Sequence, residues 1–241
     1  MNNTKIIKNI LKIFILLVIL SCSFKSYSQI KSFMGFTAGG SLSQLSGDNE
    51  KYNRNIYRQG AYGGIFWDIY LEYQNYIEVG GFYTQQGGIK KLEYNDISGK
   101  KIVYSVNNQI DYAMFPIIWK QQWGDLFTQI GIYGEIAINA KSVWKREYLF
   151  ADSISTITGN YKSFTHDLRL YDFGGFFGIG YQKPVTDNYD FFINLSYRFG
   201  FFSIENMPEN SGDFMKNRIF TLNAGFILFS KDKRYATKKR R

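Results

Sequence analysis

Alternation with a period of two, sustained for about a dozen residues at a time, restricts this chain more than any other feature. In DFFINLSYRFGFF (190–202), Phe191, Ile193, Leu195, Tyr197, Phe199 and Phe201 share one face. Phe192, Asn194, Ser196, Arg198, Gly200 and Phe202 share the other. Only an extended strand brings every second residue to one side, and this one is longer than the usual 5 or 6 residues. The pattern recurs in AYGGIFWDIYLEY (61–73), YIEVGGFYTQQGG (76–88), LFTQIGIYGEIAINA (126–140) and RIFTLNAGFILF (218–229). In 126–140 the alternation sets Ile130, Ile132, Ile136 and Ile138 against Gln129, Tyr133, Glu135 and Asn139.

Eight strands are expected, at about 32–42, 60–73, 76–92, 101–120, 125–141, 165–182, 189–203 and 217–230. Long polar connections fall near 43–59, 93–100, 142–164 and 204–216, and short ones near 74–75, 121–124 and 183–188. Short turns on one side and long loops on the other are the layout of an outer-membrane barrel. Strands of about 9–11 residues suffice to cross a bilayer, and only closure hides every backbone group from lipid. The expected fold is all-β, a single eight-stranded antiparallel up-and-down transmembrane barrel. A soluble ligand-binding barrel is the competing architecture. It would turn the apolar faces inward, where so many large aromatics would overfill a ring of this size. Trp119, Trp123, Trp144, Tyr181 and Tyr189 stand near strand ends, where an interfacial girdle is expected.

Composition agrees. The 241 residues include 19 Tyr, 22 Phe and 23 Gly, which suit strands and turns. The mean hydropathy is only −0.25, which fits apolar residues interleaved with polar ones. The N-terminus reads as an export signal over 1–28: Lys5, Lys8 and Lys12 precede the apolar run Ile13–Leu20, which is too short for a membrane helix. Ser26-Tyr27-Ser28 before Gln29 is one processing site, and Leu20-Ser21-Cys22 is a looser, lipoprotein-type one. Cys22 is the only cysteine, so cleavage before Gln29 removes thiol chemistry altogether.

Of the formal charge of +9, residues 1–28 hold four lysines without an acid, and the tail KDKRYATKKRR (231–241) has seven basic residues against one acid. The barrel domain between them, 29–230, is close to neutral, so the basic balance implies no nucleic-acid-binding face. Lys238, Lys239, Arg240 and Arg241 are instead candidates for contact with a partner or with anionic lipid.

Several stretches, in order, resemble the Bacteroidetes outer-membrane β-barrel family often labelled PorT-like, which is similar in size to OmpX-like barrels: FTAGGSLSQL, IEVGGFYTQQGG, DYAMFPIIWK, YDFGGFFGIGYQ and NAGFILF. Glu78-Val79-Gly80 is close to the family's Glu-Leu-Gly, whereas Met114 stands where an acidic residue is usual before the proline step. The resemblance implies an outer-membrane barrel. Through one branch of the family it also implies a place in a type IX secretion or other envelope complex.

The polar phase of the strands carries Asp68, Glu72, Glu78, Lys120, Glu135, Asp172 and Arg198. An eight-stranded barrel is only wide enough inside for side chains, so these charges are expected to interlock as a plug, with a narrow ion or proton path as the functional alternative. His166, beside Ser163, Thr165 and Asp167, is the only histidine, which rules out a polyhistidine metal site. A catalytic set there would make the chain a lipid-modifying enzyme, the second function weighed. The first loop, GDNEKYNRN, lacks the spacing of a calcium loop, and Asn194-Leu195-Ser196 lies within a strand, so neither marks a ligand site. No enzyme activity, cofactor or metal is expected. The partners expected are outer-membrane lipid and envelope or secretion-complex proteins, with the barrel itself monomeric.

YDFGGFFGIGYQKP (171–184) packs four glycines into seven positions. A phosphate loop would lead into a helix, and no helical period follows. The alternation continues through it instead, with Asp172, Gly174, Phe176, Gly178 and Gly180 on one face. The polar, Ser/Thr-rich connection 142–164 is the best placed for partner contact.

Overall fold

The computed structural model describes residues 31–46, 53–95, 101–149, 154–162, 169–204 and 216–228, all within a single unit that begins at Lys31. The leader 1–28 with both processing sites, the set around His166 and the tail 231–241 lie outside these residues.

Among the described residues ten strands form: β1 (Ser32–Ser46), β2 (Asn53–Ile56), β3 (Arg58–Tyr70), β4 (Asn75–Asn95), β5 (Lys101–Trp123), β6 (Leu126–Leu149), β7 (Ile154–Lys162), β8 (Tyr171–Pro184), β9 (Tyr189–Gly200) and β10 (Lys216–Leu228). Eight of them make a closed antiparallel ring in the order β1-β3-β4-β5-β6-β8-β9-β10, with β10 returning to pair β1 from Met34↔Leu228 to Ser46↔Lys216. Closure leaves no wall strand with an open edge. The tight turns 71–74, 124–125 and 185–188 lie at one end of the ring. Tyr73 and Gln74 take positive φ in the first, and Gly124 (φ +64°) supplies the left-handed residue of the second. Ser32, Leu228 and these turns share that end.

The outward phase is apolar. Ile65, Ile117, Ile132, Phe177, Leu195 and Leu222 are each half exposed on the outer wall. Along β8 this belt runs from Tyr171 to Tyr181, the length that a tilted strand of about 9–11 residues needs to cross a bilayer. In water such a surface would be a continuous adhesive band; in lipid it is matched to its solvent. The chain is therefore an all-β transmembrane barrel of eight walls. Aromatics close the belt at both rims, with Trp123, Tyr181 and Tyr189 toward the turn end and Tyr57, Tyr83 and Tyr171 toward the loop end.

Two interruptions shape the wall. Pro116 has no N–H to give, and the β4–β5 register passes from Val79↔Ile117 to Phe82↔Met114, leaving Gly80 and Gly81 opposite the gap. Between β5 and β6 the register shifts, Asp111 pairing Asn139 while Tyr112 pairs Ala137, so Ile138 is the extra residue of a bulge. The bulge corrects the expected alternation. Asn139 is exposed on the outer wall, where its Nδ2 donates to Asp111 Oδ2 at 3.0 Å, and Ala140 and Ser142 take the inner phase. Gln85 Nε2 and Gln109 Nε2 also donate to Asp111, at 3.1 and 3.2 Å, so the outer wall turns polar at this level.

Beyond the bulge the structure departs from the expected long loops. β4, β5 and β6 continue past the ring, β7 pairs β6 residues 141–149, and β2 pairs β4 residues 89–92. Residues 142–149 and 154–162 of the expected loop 142–164 are thus paired strands. Trp144 belongs to the former: its indole lies over Gly159 and 6.3 Å from the Tyr104 ring, away from any membrane girdle. Residues 169 and 170 precede β8, which starts at Tyr171 and not near 165 as expected, because Arg169 N–H is bonded to Ile204 O, outside any ladder.

Candidate functional site: the interior of the barrel

Each wall strand aims one alternate set of its residues, the polar phase, inward, and the ring is narrow enough for them to meet. Asp68, Glu78, Lys120, Glu135, Asp172 and Arg198 are all buried. Glu72 is not among them; it lies exposed in the turn after β3, because the strand ends at Tyr70 and the alternation ends with it.

The six form two separate groups. Toward the turn end, Lys120 Nζ donates to Asp68 Oδ2 at 2.8 Å, with both side chains almost wholly buried. Glu78 stands cross-strand from Asp68 and accepts from Gln129 Nε2 at 2.7 Å; Gln129 Oε1 in turn accepts from Asn194 Nδ2 at 2.9 Å. Toward the loop end, Arg198 Nη2 donates to Thr84 Oγ1 at 2.9 Å and Nη1 to Met114 Sδ at 2.7 Å, and Nη1 lies 3.8 Å from Glu135 Oε2. Gln86 Nε2 donates to Glu135 Oε2 at 2.8 Å. Asp172, cross-strand from Glu135, accepts from Asn217 Nδ2 at 2.8 Å. Each group therefore sets two carboxyl side chains against one cation, with amides supplying the further donors that buried oxygens need.

Met114 resolves the departure from the resemblance. It is directly cross-strand from Glu135, so the carboxylate near Arg198 is carried by β6 while β5 contributes a thioether. Gln86, Gln129, Thr84 and Asn194 are legible as inner-phase residues of their strands. Asn217 is the partner that sequence reasoning missed, since it is the second residue of β10, just before the alternating run 218–229 begins.

A continuous run of rings joins the two groups. Arg198 Cζ sits 5.5 Å from the Tyr62 ring, Tyr62 stacks on Phe82 at 5.4 Å, and Phe82 contacts Phe66 at 6.4 Å. Phe66 meets Phe192 edge-on at 5.7 Å, Phe192 meets Phe127 at 6.4 Å, and Lys120 Nζ lies 4.6 Å from the Phe127 centroid. The glycines of 171–184 make this possible. A Cβ on Gly180 would run into the Phe127 ring, and one on Gly174 into Tyr133. Gly35 likewise leaves the space that Phe66 fills. A cavity of about 10 Å³ lies between Thr37, Glu78, Lys120 and Asn223, room for about one water molecule. Among the described residues, polar groups and rings thus pack against one another across the ring. Asn194 and Ser196 face into it and are buried, so the Asn-Leu-Ser triplet is a wall element.

No family model matches the sequence, and no curated protein does. Among solved structures, the chain is similar to Ail, the attachment invasion locus protein of Yersinia pestis, with a TM-score of 0.35 and 11% identity over 82% of this chain and 99% of that one. It is also similar to Neisserial surface protein A, with a TM-score of 0.32 and 14% identity over 81% and 96%. The outer membrane protein OprG from Pseudomonas aeruginosa gives a TM-score of 0.35 and 10% identity over 83% and 95%. Likeness of this degree transfers none of those proteins' properties to this chain.

Proposed function

We propose that this chain is an outer-membrane β-barrel of a Gram-negative bacterium with a structural or protein-interaction role, and neither a channel nor an enzyme. The observation that carries the reading is the filled interior, in which two ion groups and the aromatic run between them occupy the space a pore or active site would need. Residues 1–28 act as the export signal. The turn end faces the periplasm, as short turns do in such barrels, and the hairpin extension stands at the cell surface. Leu228 ends the last wall strand at the turn end, so the basic tail 231–241 leaves on the periplasmic side, where Lys238, Lys239, Arg240 and Arg241 meet an acidic partner or anionic lipid. The ordered motifs shared with PorT-like proteins support membership of that family and a place in a type IX secretion or other envelope complex.

Affinity capture of the tagged full chain from native outer membranes tests this. Envelope proteins should co-purify with the full chain and be depleted when the chain ends at residue 230. Retention of every partner by the shortened chain would remove the tail from the account. Failure of any protein to co-purify with either chain would contradict the interaction role.

A further inference from the structure

β7 differs from every wall strand in having only one neighbour. Its nine residues pair β6 from Leu149↔Ile154 to Lys141↔Lys162, and its other edge has no partner among the described residues. Alternate residues of an antiparallel edge strand turn their N–H and C=O groups away from the sheet, so β7 presents a ladder with nothing on it. Natural edges are usually blunted by lysine, proline or a bulge. In β7, by contrast, ISTITGNY is uncharged and free of proline, with charge only at Lys162. Ser155, Thr156, Ile157 and Thr158 are all exposed, and the β-branched Thr156, Ile157 and Thr158 suit an extended backbone. The strand is firmly backed. Trp144 covers Gly159, Arg146 lies over the Tyr104 ring at 5.7 Å, and β6 and β5 stay paired from Ala140 to Leu149.

Charge chooses among occupants. Over residues 141–162 the hairpin carries Lys141, Lys145, Arg146 and Lys162 against Glu147 and Asp152. Lys145 is paired with Glu147, while Lys141 is exposed with no acidic partner among the described residues. Beside the edge on the other face stands Ile157, 49% exposed. A backbone ladder recognises backbone, the basic flank recognises acid, and Ile157 recognises an apolar side chain.

We infer that β7 is a docking edge that captures an extended, net-acidic peptide segment of a partner protein as an added strand, with its apolar residues on the Ile157 side. The inference rests on the interaction role proposed above and names its surface and ligand class.

The test uses the full chain folded in detergent micelles or nanodiscs, with short capped peptides of alternating valine and glutamate, or valine and lysine, as probes. In the free protein, alternate β7 amides should exchange quickly with solvent, and the glutamate peptide should protect them. Two further glutamate peptides carry backbone N-methyl groups on alternate residues, in opposite phases. Only the phase that blocks the edge-facing donors should lose affinity, by about tenfold or more. Lys141→Glu should weaken the glutamate peptide and strengthen the lysine peptide. Each of four results would overturn the inference: no binding, equal binding of the two methylated phases, β7 amides already protected in the free protein by another segment of the chain, or pairing of β7 with a second copy. If the peptides fail while partners still co-purify from native membranes, the edge is wrong and the interaction role stands.

Discussion

Replacing Arg198 by methionine should cost the folded barrel about 3–5 kcal/mol, the usual penalty for removing one partner of a buried ionic group. The cost comes less from the lost contacts than from what is left behind. Glu135 lies 3.8 Å from the guanidinium with both side chains wholly inaccessible, and Asp172 is its cross-strand neighbour. Without Arg198 no cation remains in that group, and the carboxyls must be neutralised or the wall must open. Arg198→Lys should lose less, because the charge persists, but should not match the native chain, since a single ammonium cannot reach Thr84 and Met114 in the forked geometry of a guanidinium. Adding Glu135→Gln and Asp172→Asn to Arg198→Met should recover much of the loss. Urea unfolding in lipid vesicles, read by heat-modifiable gel mobility, measures all three. An Arg198→Met variant as stable as the native chain would mean that the interior ion groups do not hold the barrel together.

Leu195→Arg should be nearly as damaging for a different reason. Leu195 is half exposed at the middle of β9, facing outward between Leu222 and Ile179 of the adjoining walls. An arginine at the midplane of a lipid-facing wall costs about 2–4 kcal/mol, falling to about 0–1 kcal/mol near the rim. Leu228→Arg, at the turn end of β10, should therefore be mild in the same assay. In a water-facing wall both changes would be mild and alike, because surface substitutions rarely exceed about 0.5 kcal/mol. The gradient with depth is the informative quantity, more than either value alone.

The same asymmetry of solvent explains what was legible in the sequence. Where lipid lies on one side and packed side chains on the other, each strand must alternate, and β9, β10 and the lower part of β6 were readable residue by residue. Arg198, Glu135 and Asp172 could be assigned to one face from period alone. Their division into two groups depends on ring-to-ring contacts across the barrel, which no single strand encodes. Above the bulge the outer face turns polar as well, with Gln85, Gln109, Asp111 and Asn139 on it, so alternation weakens, and β2 and β7 read as polar loop. Ile132 had the right phase before the bulge, and Asn139 the wrong one after it, because one extra residue reverses every later assignment. Glu72 failed for a simpler reason: an acid can keep the beat of a strand for one step past its end.

A spin-label scan of β9 tests the transmembrane assignment most directly. Cysteines placed one at a time from 191 to 199, in a Cys22→Ser background, would be labelled and the protein reconstituted in vesicles. Labels at 191, 193, 195 and 197 should collide with membrane-dissolved oxygen, and those at 192, 194, 196 and 198 should be shielded from oxygen and from an aqueous nickel complex alike. Collision of the odd-numbered labels with nickel, and not with oxygen, would place that face in water and contradict the transmembrane barrel.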